Sequence, residues 1–267
     1  MFVIHMRLLF GSYPEVLKAV AFDGSPTPPK SARTLTTALQ RVVAAGVAVV
    51  LITGCDRGVD ARIRHAHALA GNPSEPNKDR IEALLKDRDQ DVRATAIVVM
   101  DGVDRDRAKR MAVQALRDPD ALVRAAAVPI CGDGADDETI RALATQAVSD
   151  PAWQVRARAL EAIAGSDAPV VYDAFAQALF DSAWGVRRAA LLAGTGRPGL
   201  LPTDQVVELL ITDSDWENRV EAARALGSSQ DRAAYTGLDA AGSDPNEFVR
   251  AIAARERRTL EAAGVSR

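Results

Sequence analysis

Few side chains in this sequence could act on a bond or grip a ligand, and their spacing limits what they could do. Glu217 directly follows Trp216, which sets a carboxylate beside an aromatic face. Trp153, Trp184 and Trp216 stand 31 and 32 residues apart, so three indoles share one phase of the chain. In a row they could line a groove, grip a ligand or stack nucleobases. The competing reading has each indole cover the first turn of its own helix and pack on Leu160 or Leu191. That structural role is preferred, because tryptophan is on average well buried. His65 and His67 lie two residues apart and point to nearly opposite sides of a helix, so they cannot hold one ion. No Cys cluster, HExxH pair, phosphate-binding glycine loop or Gly-x-Ser-x-Gly elbow occurs. The residues nominate no metal site, no cofactor and no catalytic set.

A different pair recurs throughout. Aspartates at 56, 87, 118, 150, 181, 213 and 244 are separated by 31, 31, 32, 31, 32 and 31 residues, and each is followed six positions later by arginine. The pairs are Asp56 with Arg62, Asp87 with Arg93, Asp118 with Arg124, Asp150 with Arg156, Asp181 with Arg187, Asp213 with Arg219 and Asp244 with Arg250. A register of this length is the mark of a repeat array, whose core grows along one axis.

Counting from each Asp, position +5 is Val92, Val123, Val155, Val186 or Val249, and position +9 is Ala96, Ala127, Ala159, Ala190, Ala222 or Ala253. With +12 and +13 they form an apolar stripe on one helix. The constant alanine marks a close approach that a larger side chain would force apart. Asp118, Asp150 and Asp244 are followed by proline, and Asp-Pro reads as an N-cap with proline at the first helical position. Stretches such as "TIRALATQAVSD" and "YDAFAQALFD" before the aspartates supply a preceding helix. One unit is therefore helix, turn, helix, turn. A helix pair of this size cannot bury its apolar face alone, so neighbours must stack.

The phrase Asp-x-x-x-x-Val-Arg-x-x-Ala resembles the HEAT repeat, in the short bacterial form named after phycobilisome lyases. The likeness runs from about Ala44 to Arg258. It implies an all-α right-handed solenoid of about seven helix pairs, with residues 44–267 forming the array. It also implies that the Asp and Arg residues above pair between repeats as a structural ladder. Residues 1–43 are less regular and read as a helical N-terminal cap around the Pro-rich loop "DGSPTPPKS". "AFDGS" and "AAGVAVVLITG" resemble the opening of haloacid-dehalogenase phosphatases, but Ser25 stands where that chemistry needs a second carboxylate after Asp23.

The chain has 267 residues, 48% hydrophobic and 26% charged, with a formal net charge of -3. No global positive field exists to attract nucleic acid or anionic lipid. The apolar run from Val42 to Thr53 is too short for a membrane helix, which needs about 20 residues. The two cysteines, Cys55 and Cys131, lie in different repeats, which points to a reducing cytoplasm. In HEAT-type solenoids the second helices line the concave side, and here positions +4, +7, +8 and +11 form their open face. Thr95, Val98, Leu122, Ala126, Arg158, Glu161, Arg188, Glu217, Glu221 and Arg224 lie on it. Its charges balance, and its centre at Val98, Leu122 and Ala126 is small and apolar, as a docking surface for a helix or peptide would be. The expected function is a protein- or peptide-binding adaptor, as monomer or homodimer. One alternative is a nucleic-acid enzyme like the HEAT-type alkylpurine DNA glycosylases, with Glu217 beside Trp216. The other is an accessory or lyase-like protein acting on a bound small molecule.

Overall fold

The computed structural model describes residues 57–265 apart from 198 and 230, and every regular element among them is helical. A first helix, α1 (Arg57–Ala70), precedes a succession of helix pairs. The pairs are α2 (Glu75–Ala83) with α3 (Gln90–Asp101), α4 (Arg105–Ala115) with α5 (Ala121–Gly132), and α6 (Asp137–Ser149) with α7 (Trp153–Ile163). They continue as α8 (Pro169–Ala178) with α9 (Trp184–Gly194), α10 (Thr203–Thr212) with α11 (Trp216–Gly227), and α12 (Arg232–Ala240) with α13 (Glu247–Ala262). Within the unit 66–267, each second helix from α3 onward packs on the next, α3 on α5 through to α11 on α13. First helices pack on first helices as well, α6 on α8 and α10 on α12. The result is an all-α solenoid with two helical layers. The expected cap at residues 1–43, and Asp56 with it, lie outside the described residues.

The core sits where the period places it. Val92, Val123, Val155, Val186 and Val249 are fully buried, as are all the +9 alanines from Ala96 to Ala253. Glycine sets one close approach between second helices. A Cβ on Gly132 would lie 2.7 Å from the Ala162 side chain and 3.0 Å from its carbonyl oxygen, so α5 and α7 touch there through backbone.

The aspartate does not cap the helix as the Asp-Pro pairs suggest. It ends the preceding segment, and the cap falls two residues later at Asp89, Asp120, Ala152, Ala183, Asp215 or Asn246. Its carboxylate instead accepts the amide of that capping residue, at 2.8 Å in Asp118, Asp150, Asp181 and Asp244 and 2.9 Å in Asp87 and Asp213. This is an Asx turn, which fixes the entry of the chain into the helix.

That turn aims the same carboxylate at the previous repeat. Nε and Nη2 of Arg93, Arg124, Arg156, Arg187 and Arg219 donate to both oxygens of Asp118, Asp150, Asp181, Asp213 and Asp244 respectively, at 2.7–3.1 Å. Each arginine also turns back, and its Nη1 donates to the main-chain carbonyl of its own repeat's aspartate at 2.7–2.9 Å. Arg250 keeps that tether at 2.7 Å, with a second bond to the Pro245 carbonyl at 3.0 Å.

Candidate binding face

The open face of the second helices is uneven along the array. In α3 and α5 it is largely closed. Ala94 and Ala125 are buried, and Ala126, which the sequence places at the centre of a docking surface, is only 2% exposed. Thr95, Val98 and Leu122 are half-buried, with Val98 and Leu122 packed on the core. The cause is the next helix, since small +7 and +8 residues let second helices approach closely. Arg158 of α7 reaches back to donate to the Ala125 carbonyl at 3.0 Å, and burial pulls its guanidinium below the ordinary arginine value. Ala126 is therefore core, and an apolar opening at the middle of the array does not form.

The exposed apolar surface lies further along. Trp153, Trp184 and Trp216 begin α7, α9 and α11, and they are 40%, 46% and 40% exposed, so they are not the buried first-turn covers that tryptophan's average behaviour favours. Trp153 leans onto the next helix, its ring centroid 6.1 Å from that of Trp184. Gly185 makes this possible, because a Cβ there would lie 2.5 Å from the Trp153 ring. Trp216 meets Phe248 of α13 at 5.7 Å. Leu192, two turns beyond Trp184 on α9, is exposed as well.

Arg188 joins the two aromatic pairs. One turn after Trp184, its Cζ lies 4.8 Å from the centroid of that indole, a cation–π geometry. Its Nη2 meets Asp215 at 3.2 Å and Glu217 at 2.5 Å, on either side of Trp216. Its Nε donates to Asn218 Oδ1 at 3.1 Å. Asn218 stands at +5, where the other copies from residue 87 onward carry valine, and is fully buried. It also donates to the Trp184 carbonyl at 3.1 Å and to Asp213 at 3.2 Å. The buried amide thus ties Arg188 into the ladder.

Arg188, Glu217 and the three tryptophans come together at this edge of the face, whereas Glu161, Glu221 and Arg224 lie further along their helices. Glu221 pairs with Arg224 at 2.6 Å, and burial raises its carboxyl above the usual range. Sequence reasoning missed Phe248, Asp215 and Asn218. The polar residue at the valine position was the available signal for the last of these, and an aromatic at +4 after a tryptophan at +3 of the preceding repeat was the signal for Phe248. Cys131 is buried, which pushes its thiol up to about 12. Among the described residues no three His, Cys, Asp or Glu side chains gather as a metal site, and no helix is long and apolar enough to cross a membrane.

Comparison with known proteins gives the same architecture. Residues 77–164 match the family model for HEAT repeats. No curated protein matches the chain in sequence. Among solved structures, YibA of Escherichia coli is similar at 21% identity over 74% of this chain and 76% of that one, with a TM-score of 0.54. Human deoxyhypusine hydroxylase is 16% identical over 78% of this chain and 81% of its own, with a TM-score of 0.41. A chain of the CpcE–CpcF phycocyanin lyase complex of Nostoc is 18% identical over 91% and 98%, with a TM-score of 0.38. The match to HEAT repeats covers residues 77–164, the same Asp–Arg register runs on to Arg250, and the described residues form a HEAT-like α-solenoid.

Proposed function

We propose that this chain is a non-enzymatic scaffold that binds a protein or peptide along the starts of α7, α9, α11 and α13. One observation carries the reading. Trp153, Trp184, Trp216 and Phe248 stand in a row on successive helices, each 40–59% exposed. Leaving such rings about half in water forgoes about 1 kcal/mol apiece, roughly half the value of full burial, and exposed apolar surface of this kind marks interaction sites. The row is also held rigidly, by a ladder of bidentate ion pairs behind it and by Arg188 within it, so a partner would meet a preorganised surface. Glu217, the carboxylate that a glycosylase-like reaction would use, is bridged to Arg188.

A random peptide library displayed on phage and panned against the full chain tests the proposal. Selected peptides are expected to bind the parent protein and to lose binding to a Trp184→Ser, Trp216→Ser double variant whose helical circular dichroism and melting temperature match the parent. Peptides that bind the double variant equally well would contradict it.

A further inference from the structure

We propose that the end of the array at α13 docks a helix pair of another polypeptide, one whose turn carries an aspartate that completes the ladder on Arg250. The site uses the outer side of α13 rather than the ring row and does not depend on that reading.

The fork of Arg250 is set as those of the gripping arginines are. Its Nη1 donates to the Asp244 carbonyl at 2.7 Å, as the other five do to theirs at 2.7–2.9 Å. In those five the tether leaves Nε and Nη2 to take both oxygens of one aspartate. Neither nitrogen of Arg250 has a partner among the described residues, and residues 251–267 contain no aspartate. A guanidinium already held by one arm loses less freedom when it pairs, so the fork is preorganised for a carboxylate.

The helix surface beside it is one that earlier repeats cover. Position +10 is fully buried at Ile97, Val128, Leu160, Leu191 and Ala223, and the next second helix packs alongside each. Ala254 holds that position in α13 and is exposed. Ala251, the +7 residue, is exposed as well, whereas Val220 one repeat earlier is buried. Two alanines on this side leave room for another helix to come close.

Charge suits an acidic guest. Arg257 and Glu261 are engaged with Asp239 and Tyr235 of α12, and Arg255 with Glu256. The charges of α13 left without an ion pair among the described residues are Glu247, Arg250 and Arg258, two cations to one carboxylate. A second copy of the chain is the poorer guest. Its aspartates from Asp118 to Asp244 already sit in the forks of its own arginines, so lending one would break a rung. The array itself shows the form of the guest. The α12–α13 pair packs on α10 and α11, where the +10 residue is likewise alanine, and delivers Asp244 to Arg219.

The test titrates the full chain into a fluorescein-labelled peptide copying residues 231–262, with its Asp244→Asn form alongside, and reads anisotropy. The parent peptide is expected to bind, and the Asn form about tenfold more weakly for want of the bidentate ion pair. An Arg250→Gln chain with parental circular dichroism and melting temperature is expected to bind both peptides at the weaker level. The Asp-to-Asn effect then vanishes, as a direct pair requires. No binding, equal binding of the two peptides, or unchanged affinity in Arg250→Gln would overturn the inference. The Trp184→Ser, Trp216→Ser double variant should bind the peptide as the parent does, and a loss there would place it on the row instead. Sedimentation velocity of the chain alone should show no dimer through this end, and a dimer dissolved by Arg250→Gln would give the site to a second copy and overturn the choice of guest.

Discussion

The Asp–Arg rung is a small device with a built-in control. Arg187 spans two repeats, gripping Asp213 through Nε and Nη2 while its Nη1 holds the Asp181 carbonyl. Asp213 is 6% exposed, so removing its partner strands a carboxylate away from water. Arg187→Ala is expected to destabilise by about 3–5 kcal/mol, the range for breaking a buried pair. Arg250 has the same tether to its own repeat and no carboxylate in its fork among the described residues. Arg250→Ala should therefore stay within about 0.5 kcal/mol of the parent, as an exposed substitution does. Urea unfolding of the two variants measures the difference, and equal losses would show that the inter-repeat pair contributes nothing beyond the tether.

At the scale of the helices, glycine separates packing from propensity. Gly132→Ala should cost about 1–3 kcal/mol, because its Cβ meets the backbone of α7 and close-packed helices must shift to admit it. Helix propensity alone predicts a gain of about 1 kcal/mol for the same change. Gly165, where an added Cβ would have nothing within 4 Å, should accept alanine with no loss. A stabilised Gly132→Ala protein would mean that α5 and α7 do not meet as closely as described. Helix pairing, the buried +5 and +9 positions and the Asp–Arg register were legible in the sequence, because each follows from a period. The helix starts were not: Asp-Pro fits an N-cap and an Asx turn equally, and only the second capping residue, as at Asp89, Asp120, Asp215 and Asn246, separates them. The proposed binding face was half legible. Tryptophan phase placed the row, but exposure depends on what the next helix covers, and Arg158 closing over α5 while Gly185 lets Trp153 lie open is a property of neighbouring repeats.

The whole array answers to pH through its rungs. For Asp118, Asp181, Asp213 and Asp244 burial opposes ionisation, but hydrogen bonds from the ladder arginine and the turn amide prevail and hold each carboxyl below its ordinary value. A depressed carboxyl adds stability above its unfolded value, near 3.9, and loses it as pH falls from there toward the folded value. The rungs' contribution to stability should thus be nearly level from about pH 7 to 5 and fall below about pH 4. In an Asp213→Asn variant the acid limb should be shallower, and an unchanged limb would place the titrating groups elsewhere. Because each repeat is stabilised mainly through its neighbours, residues on several second helices can act as one surface, as the proposed binding row requires. The chain contains 3 tryptophans, all of them in the row, so its emission reports on nothing else. The most direct measurement is acrylamide quenching of that emission with a library-selected peptide at saturation. A blue shift and reduced quenching are predicted, whereas a saturated complex with unchanged emission and quenching would show that the partner binds elsewhere.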